Sequence, residues 1–226
     1  MDFNNFCYWT SDVFSPFIGK SESELRDSLS IDSTSKNKCN MYARAILKKA
    51  DSDIIKTLSN ENILLKTIRL KKTGRVAESM SFARFDFKKI ILENWETSEL
   101  KSFFEKTIFL FVVFAENNDG LYLSKIKVWK IPSDVLEDKV YEVWKKTVEV
   151  LKSGDIIAGK VTKGLKTTYK TNLPSISFNG ICHVRPHAQN SSDDDFLPFP
   201  DKSGLIKLTK QCFWLNSGYL KKIISE

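Results

Sequence analysis

Lys66 is the first side chain whose position in the sequence suggests chemistry. It lies in Glu61-Asn-Ile-Leu-Leu-Lys-Thr-Ile-Arg-Leu70, an apolar stretch that precedes the glycine-containing turn Lys71-Lys-Thr-Gly-Arg75. This pattern predicts a largely buried strand on which Leu64 and Lys66 share one face. A carboxylate two residues before such a lysine would hold Mg²⁺ beside the attacking water and the phosphate. Leucine cannot ligate a hard cation, so the stretch has the frame of a nuclease site without its metal ligand.

Other carboxylates leave a catalytic alternative open. Asp51, Asp53 and Glu61 precede Lys66, and Glu78 can approach from a neighbouring strand. Strand alternation puts Glu61, the nearest of them, off the face of Lys66. Without a relocated acid, the stem of Lys66 packs and its ammonium group reaches water or a phosphate. We therefore expect no catalytic residue and no metal site here, only the remnant formed by Lys66 and Leu64.

The segment His183-Val-Arg-Pro-His187 suggests recognition chemistry. The residue before a proline is held extended, so Arg185 presents its planar guanidinium in a fixed direction, suited to a phosphate or a guanine edge. His187 can donate or accept at a base edge, whereas a packed side chain is an equally good reading of His183. A catalytic histidine pair is disfavoured because no serine or cysteine nucleophile with a recognisable elbow accompanies it.

Composition favours a polyanionic partner. The 226 residues carry a net charge of +7, and the pI near 9.1 places nucleic acid ahead of a membrane surface. The lysines at positions 160, 163, 166 and 170 surround Tyr169 in a turn-rich stretch, an interleaving that suits contacts to a DNA backbone. A solvated lysine-rich surface is the alternative for the charge and for these lysines.

Cysteine usage and hydropathy indicate a reducing cytoplasm. The four cysteines form no CxxC pair and only two histidines are present, which makes a structural zinc site improbable. The N-terminal residues lack the pattern of a secretory signal. The apolar run Ile108 to Ala115 is too short to span a bilayer, so we expect no membrane partner.

Periodicity and punctuation predict an alternation of helices and strands. Residues 1–20 are rich in aromatic side chains and show no clear periodicity, so they are interpreted as an N-terminal arm that could belong to a longer parent chain. Residues 21–226 are interpreted as one domain. The capping-box spacing of Ser21 and Glu24 predicts the start of a helix over 22–29. The other predicted helices are 40–49, 134–152 and 217–224. The predicted strands are 63–70, 79–87, 107–114, 122–131, 181–185 and 207–215. Residues 99–105 are a short helix or a loop, 155–178 short strands with loops, and 189–200 an acidic loop.

Several of these segments occur together in a characteristic order. They are Ile63-Leu-Leu-Lys-Thr-Ile68, Trp95-Glu-Thr-Ser98, the helix around Trp144 that ends at Gly154, His183-Val-Arg-Pro-His187 and Thr209-Lys-Gln-Cys-Phe-Trp-Leu-Asn216. The set resembles the MutH mismatch-repair endonuclease and its relatives among the type II restriction enzymes that cut at GATC. The resemblance implies an α/β, restriction-endonuclease-like (MutH-like) fold with a mixed central sheet flanked by helices.

Within that family, the sequence is most similar to the C-terminal half of a staphylococcal enzyme built from two MutH-like halves. In that enzyme the N-terminal half cuts, while the C-terminal half binds a second DNA site and acts as an effector. Leu64 stands where the family has a glutamate, and Thr57 stands at the position of its first acid. By the same resemblance, Arg185, Pro186 and His187 form the reading loop, and Lys207, Lys210 and Lys66 are further DNA-contact candidates.

The resemblance implies sequence-specific binding of double-stranded DNA at GATC by a catalytically inactive domain. That domain would act as an allosteric effector of a type II restriction endonuclease, with a catalytic MutH-like domain of the same parent chain as its partner and a possible dimer on DNA. No cofactor is expected for this domain, and Mg²⁺ is expected for the catalytic half. The alternatives are an active Mg²⁺-dependent endonuclease with a relocated acid and a protein-interaction module that kept the fold.

Overall fold

The computed structural model describes residues 2–31, 35, 37–163, 166–187, 193–201 and 204–226. The chain forms two compact units, each built from separated segments. The first unit comprises Met1–Glu78, Lys106–Lys130 and Lys221–Glu226, and the second comprises Ser79–Glu105 and Ile131–Leu220. Among the described residues, none of the helices combines the length and the apolar character that crossing a membrane requires.

The elements follow one another as a mixed α/β chain. The helices are α1 Phe3–Phe14, α2 Glu22–Leu29, α3 Lys38–Ala50, α4 Ile54–Asn60, α5 Phe87–Ile90, α6 Glu99–Lys106, α7 Ser133–Val135, α8 Tyr141–Lys152 and α9 Ser217–Ile223. The strands are β1 Ile63–Leu70, β2 Met80–Arg84, β3 Ile108–Glu116, β4 Leu121–Trp129, β5 Ala158–Lys163, β6 Lys166–Thr171, β7 Cys182–Pro186, β8 Asp194–Phe196, β9 Lys207–Thr209 and β10 Gln211–Leu215. A π-helical turn, Leu136–Val140, joins α7 to α8.

A three-stranded mixed sheet organises the first unit, in the order β1-β3-β4. Strand β1 pairs parallel with β3, and β3 pairs antiparallel with β4. Leu110, Val112 and Phe114 of β3 are fully buried in a core to which α1, α3 and α4 contribute. Because side chains alternate along a strand, Phe109 and Phe111 face the other way, on the face that carries Lys66. The strand predicted over 63–70 is confirmed as β1, which lies at an edge of this sheet and is buried only in part.

Helices cover the core side of this sheet. Residues 1–20 show no clear periodicity and are interpreted from the sequence as an arm, yet they contain α1. This helix begins after Asp2, whose carboxylate accepts a hydrogen bond from the Asn5 N–H at 2.9 Å. The aromatic side chains Phe6 and Phe14 of α1 pack in the core of the first unit. Sequence periodicity also missed α4. The predicted capping box of α2 is confirmed: Ser21 and Glu24 bond reciprocally.

The second unit contains a three-stranded antiparallel sheet in the order β2-β10-β7, with two-stranded ribbons β5-β6 and β8-β9. The register of β10 against β7 pairs Cys212 with Arg185 and Trp214 with His183. Helix α8 lies against β7, and its Trp144 belongs to a ring cluster with Trp95 and Tyr141. The long predicted helix over 134–152 is present, with the π-helical turn inside it.

Two predicted strands are shorter in the structure than in the prediction. The strand expected over 79–87 ends at Arg84, because the Asp86 carboxylate accepts from the Lys88 and Lys89 N–H groups and caps α5. The strand expected over 207–215 divides at Lys210, whose N–H donates to the Asp193 carbonyl at 3.1 Å. The predicted loop 189–200 contains β8, and its first part lies outside the described residues.

Candidate nucleic-acid interface

The end of β7 presents the predicted recognition residues. Cys182, His183 and Val184 are buried, whereas Arg185, Pro186 and His187 are exposed. Pro186 pairs with Gln211 of β10, and the His187 N–H donates to the Lys210 carbonyl at 3.1 Å. The strand therefore passes from the core of the second unit into solvent while its backbone stays fixed to β10.

Trp214 of β10 orders the side chains at this exposed end. The guanidinium carbon of Arg185 lies 3.8 Å from the centroid of the Trp214 ring, the stacked geometry of a cation–π contact. The indole Nε1–H donates to the Arg185 carbonyl at 3.2 Å, and the His187 ring meets the indole edge-on at 5.2 Å. Because Trp214 is itself buried, it restricts the rotamers of two exposed side chains before any ligand binds.

His183 packs against the ring of Trp214. Its ring is 2% exposed and stacks on the indole at 6.2 Å with an interplanar angle of 20°. Its Nδ1 bonds the Asn216 Oδ1, while the Asn216 amide donates to the Ile176 carbonyl at 2.8 Å. Burial lowers the pKa of His183, and the nearby Arg185 charge lowers it further. A neutral His183 is thus a packed residue of the interior, the plainer of the two sequence interpretations.

Asp193 joins two cations beside this end of the sheet. Its two carboxylate oxygens lie 2.8 Å from Lys210 Nζ and 2.9 Å from Arg84 Nη1. The Asp193 side chain is 14% exposed, so the pairing is less screened than a surface ion pair. The group of Arg84, Lys210 and Asp193 therefore carries one net positive charge. The ion pairs fix the position of this charge beside Lys210, which is a predicted DNA-contact residue.

Lys207 lies beside an exposed aromatic ring on the two-stranded β8–β9 ribbon. Its ammonium nitrogen lies 4.4 Å from the centroid of the Phe196 ring, and Lys88 approaches the same ring at 5.2 Å. Phe196 is 46% exposed, so the ring and both ammonium groups remain accessible to a phosphate. An aromatic side chain interleaved with lysines suits backbone contacts with nucleic acid.

Lys66 lies in the first unit, on a row of apolar residues. It is half-buried and pairs in register with the fully buried Phe111, which in turn pairs with Lys127. Leu64 pairs with Phe109, also fully buried. The positions around Lys66 therefore hold hydrocarbon and a second cation, where a metal centre would need oxygen ligands.

The residues present at the remnant do not fit a magnesium ion. Thr57, on α4, and the alternative acids Glu61 and Glu78 are exposed. Across the described ranges, no three histidine, cysteine, aspartate or glutamate side chains converge as metal ligands would.

The structure thus brings most of the predicted contact residues into one unit. Arg185, Pro186, His187 and Lys210 adjoin one another around β10, and Lys207 follows on the neighbouring ribbon, whereas Lys66 belongs to the first unit. Lys170 of the lysine-rich stretch is exposed. The side chains of Lys160, Lys163 and Lys166 lie outside the described part of the structure.

Sequence reasoning missed the residues that hold the recognition side chains in place. These are Trp214, Asp193, Arg84 and Phe196. A signal existed for Trp214, which stands within the segment Thr209 to Asn216 on a predicted strand, and for Asp193, the first residue of the acidic cluster. Neither signal indicated which cation would be the partner.

The sequence is similar to that of a known restriction enzyme. No protein-family model matches the chain. The type II restriction enzyme Sau3AI of Staphylococcus aureus is 32% identical over 243 aligned positions, which cover 94% of this chain and 50% of that enzyme. The chain therefore spans about half the length of this curated relative, and the matching part is its C-terminal half.

Proposed function

We propose that this chain, a homologue of the type II restriction enzyme Sau3AI with a restriction-endonuclease-like α/β fold, is a non-catalytic domain that binds double-stranded DNA at a specific sequence. The homology supports a DNA-directed function. The observation that carries the proposal is the exposed Arg185 guanidinium, held 3.8 Å above the buried Trp214 ring and next to His187. A planar donor fixed in this way is suited to reading a base edge.

Arg185 and His187 are assigned the reading of bases. Arginine bonds guanine O6 and N7 in the major groove with two parallel hydrogen bonds, a pairing of about 1–3 kcal/mol in discrimination. The stacking on Trp214 leaves the outer N–H groups available while it limits the orientations of the guanidinium. Pro186, which has no N–H, keeps the intervening backbone extended.

Lys207 and Lys210 are assigned the binding of phosphates. Each presents an ammonium group beside the reading residues, Lys207 over Phe196 and Lys210 against Asp193. Contacts of this kind fix register and supply affinity without carrying sequence information, and they make binding depend on salt. Lys66 remains a further candidate for a phosphate contact, contributed by the first unit.

The absence of cleavage is inferred from the remnant in the first unit. Leu64 and Thr57 stand where the resembling enzymes have acids, and Leu64 has the buried Phe109 as its neighbour in register. A carboxylate in this setting would lose hydration beside Phe109, and the cation nearest to it on the same strand face would be the ammonium group of Lys66, which cannot replace a metal ion. The chain's own residues then contribute binding, and the Mg²⁺-dependent chemistry belongs to another, catalytic domain.

In the full proposal the domain is MutH-like, its site is GATC, and it acts as an allosteric effector in the cytoplasm. Binding of DNA here stabilises an assembly, such as a dimer on DNA, in which the catalytic domain of the same parent chain cuts. Coupling of this kind requires that DNA favour one arrangement of the domains over the other.

A titration with labelled duplexes tests the proposal. Fluorescence anisotropy is measured with a GATC duplex and a scrambled duplex of equal composition, with and without Mg²⁺, and the DNA is then run on a denaturing gel. We expect preferential binding of the GATC duplex, steep weakening with salt and intact DNA. Cleavage by this chain would instead show that a relocated acid restores the nuclease site, and absence of binding would favour a protein-interaction module.

A further inference from the structure

The second unit contains a cavity whose lining includes none of the residues proposed to contact DNA and shares only the supporting residue Arg84 with that site. Its volume is about 230 Å³, and it lies between β2, α6, α8 and β10. Five aromatic side chains line it: Phe82, Phe85, Phe103, Trp144 and Phe213. The rings pack against one another, with Phe82 and Phe103 at 5.4 Å and Phe85 and Phe213 at 5.0 Å between centroids. Such mutual packing makes the walls a preformed aromatic surface.

Carboxylates accompany the aromatic walls. Glu93 and Glu99 both line the cavity, although the chain as a whole carries a net charge of +7. Glu93 accepts a hydrogen bond from Trp144 Nε1 at 3.4 Å. Burial raises the pKa of Glu93, and the charge of Glu99 raises it further, whereas the hydrogen bond from Trp144 lowers it.

The lining also contains one cationic residue, Arg84, which pairs with a carboxylate that does not line the cavity. Arg84 lines the cavity, but its guanidinium is paired with Asp193 at 2.9 Å. The lining therefore has two carboxylates against one guanidinium, and Asp193 shares its charge between that guanidinium and Lys210, so the cavity keeps a net negative charge. The π faces of aromatic rings also attract cations. Size limits the occupant further, because small-molecule sites usually have about 300–1,000 Å³ and this cavity has about 230 Å³.

We propose that the cavity binds the side chain of an arginine presented by a partner protein. A guanidinium stacks on aromatic faces and its planar fork donates to carboxylates, so one side chain satisfies both kinds of lining group. The charge complementarity favours a cation over an apolar anchor, and the aromatic walls favour the weakly hydrated guanidinium over an ammonium group. The site is a protein-docking site separate from the DNA-reading residues of β7.

Nuclear magnetic resonance on the full chain tests this directly. The indole N–H signal of Trp144, assigned by its loss in Trp144→Phe, is followed during titration with acetyl-Gly-Arg-Gly-amide. The control peptide carries citrulline, the uncharged isostere of arginine, and a third peptide carries lysine. We expect a saturable shift with the arginine peptide, at least about tenfold weaker binding of the citrulline peptide and intermediate binding of the lysine peptide.

Variants of the lining acids complete the test. Glu93→Gln and Glu99→Gln keep the shape of the side chain and are expected to weaken binding of the arginine peptide at least about tenfold. Glu105→Gln, on the same helix as Glu99 but outside the lining, is the matched control and is expected to bind normally. Equal affinity for arginine and citrulline, equal affinity for lysine and arginine, or an equal loss in all three variants would overturn the proposal.

Discussion

Strand β1 of the first unit and strand β7 of the second unit both present a basic residue, in opposite surroundings. Lys66 on β1 is half-buried and has Leu64 on its own strand and Phe111 beside it. Arg185 on β7 is exposed and stacks on Trp214, with His187 against the same ring. Apolar residues occupy the register position next to the first cation, whereas the second stacks on an aromatic ring at an exposed position that leaves its donors accessible.

The difference shows how catalysis and recognition make unequal demands on a fold. A hydrolytic metal centre needs several oxygen ligands converging on one point, so under the proposed function a leucine and a threonine at the positions of the two acids are enough to prevent catalysis. Recognition needs a donor fixed in direction, and under the same proposal one arginine and one buried ring supply it. Leu64 beside the buried Phe109 carries no desolvation cost.

Replacement of Arg185 should have the largest effect on DNA binding. We expect Arg185→Ala to weaken binding of the GATC duplex by about 10- to 100-fold, corresponding to the loss of about 1–3 kcal/mol at a bidentate base contact. Arg185→Lys should keep the charge but lose most of the preference over a scrambled duplex. Anisotropy titrations measure both. Arg75→Ala, an exposed arginine after β1, is the control, and equal losses in the two alanine variants would contradict the assignment.

A carboxylate introduced on β1 tests whether the surroundings of Lys66 can form a metal site. Leu64→Glu should lower the free energy of unfolding by about 1–3 kcal/mol, because the carboxylate is placed beside the buried Phe109 and Lys66 on the same face offsets only part of its desolvation. Urea unfolding measures the change, with Leu64→Met as the apolar control. DNA should remain uncut in Mg²⁺, since Thr57 still lacks a carboxylate. Cleavage by the single variant would mean that the remnant needs only one acid.

The free energy of unfolding should depend on pH through the buried His183. Burial holds its pKa in the folded protein below the ordinary value of 6.5, so the unfolded chain takes up a proton first as the pH falls. The contribution of His183 to stability is complete above pH 6.5 and is lost as the pH falls from there towards the folded pKa. Urea unfolding between pH 7.5 and 5 should therefore show a smaller decline for His183→Asn, in which the amide replaces Nδ1; a slope identical to that of the unaltered chain would contradict this.

Replacement of Lys66 should have the smallest effect. Lys66→Met keeps the packed stem and removes the charge, and we expect a modest loss of affinity that is equal for GATC and scrambled duplexes. If Lys66 contacts one phosphate, the slope of log affinity against log salt should fall by about 0.9. Anisotropy at several salt concentrations measures the slope. A loss as large as that of Arg185→Ala would place the centre of DNA binding on β1 and reverse the comparison.

Local signals in the sequence determined much of this protein. Apolar runs located β1 and β3, and the spacing of Ser21 and Glu24 located the start of α2, because these patterns involve residues that are neighbours along the chain. Arg185 before a proline was identified as a fixed donor for the same reason. Leu64 and Thr57, at the positions of the family's two acids, suggested a non-catalytic domain from the sequence alone, and this remains a proposal.

Only the tertiary structure decided what surrounds these residues. Trp214 supports Arg185 because the register of β10 against β7 brings together residues that are 29 positions apart. Asp193 pairs with Arg84 across a far longer separation, and the cavity is closed by rings from four elements. Periodicity reports which face a side chain takes, but register and packing determine its neighbours, and those depend on contacts distant in the chain.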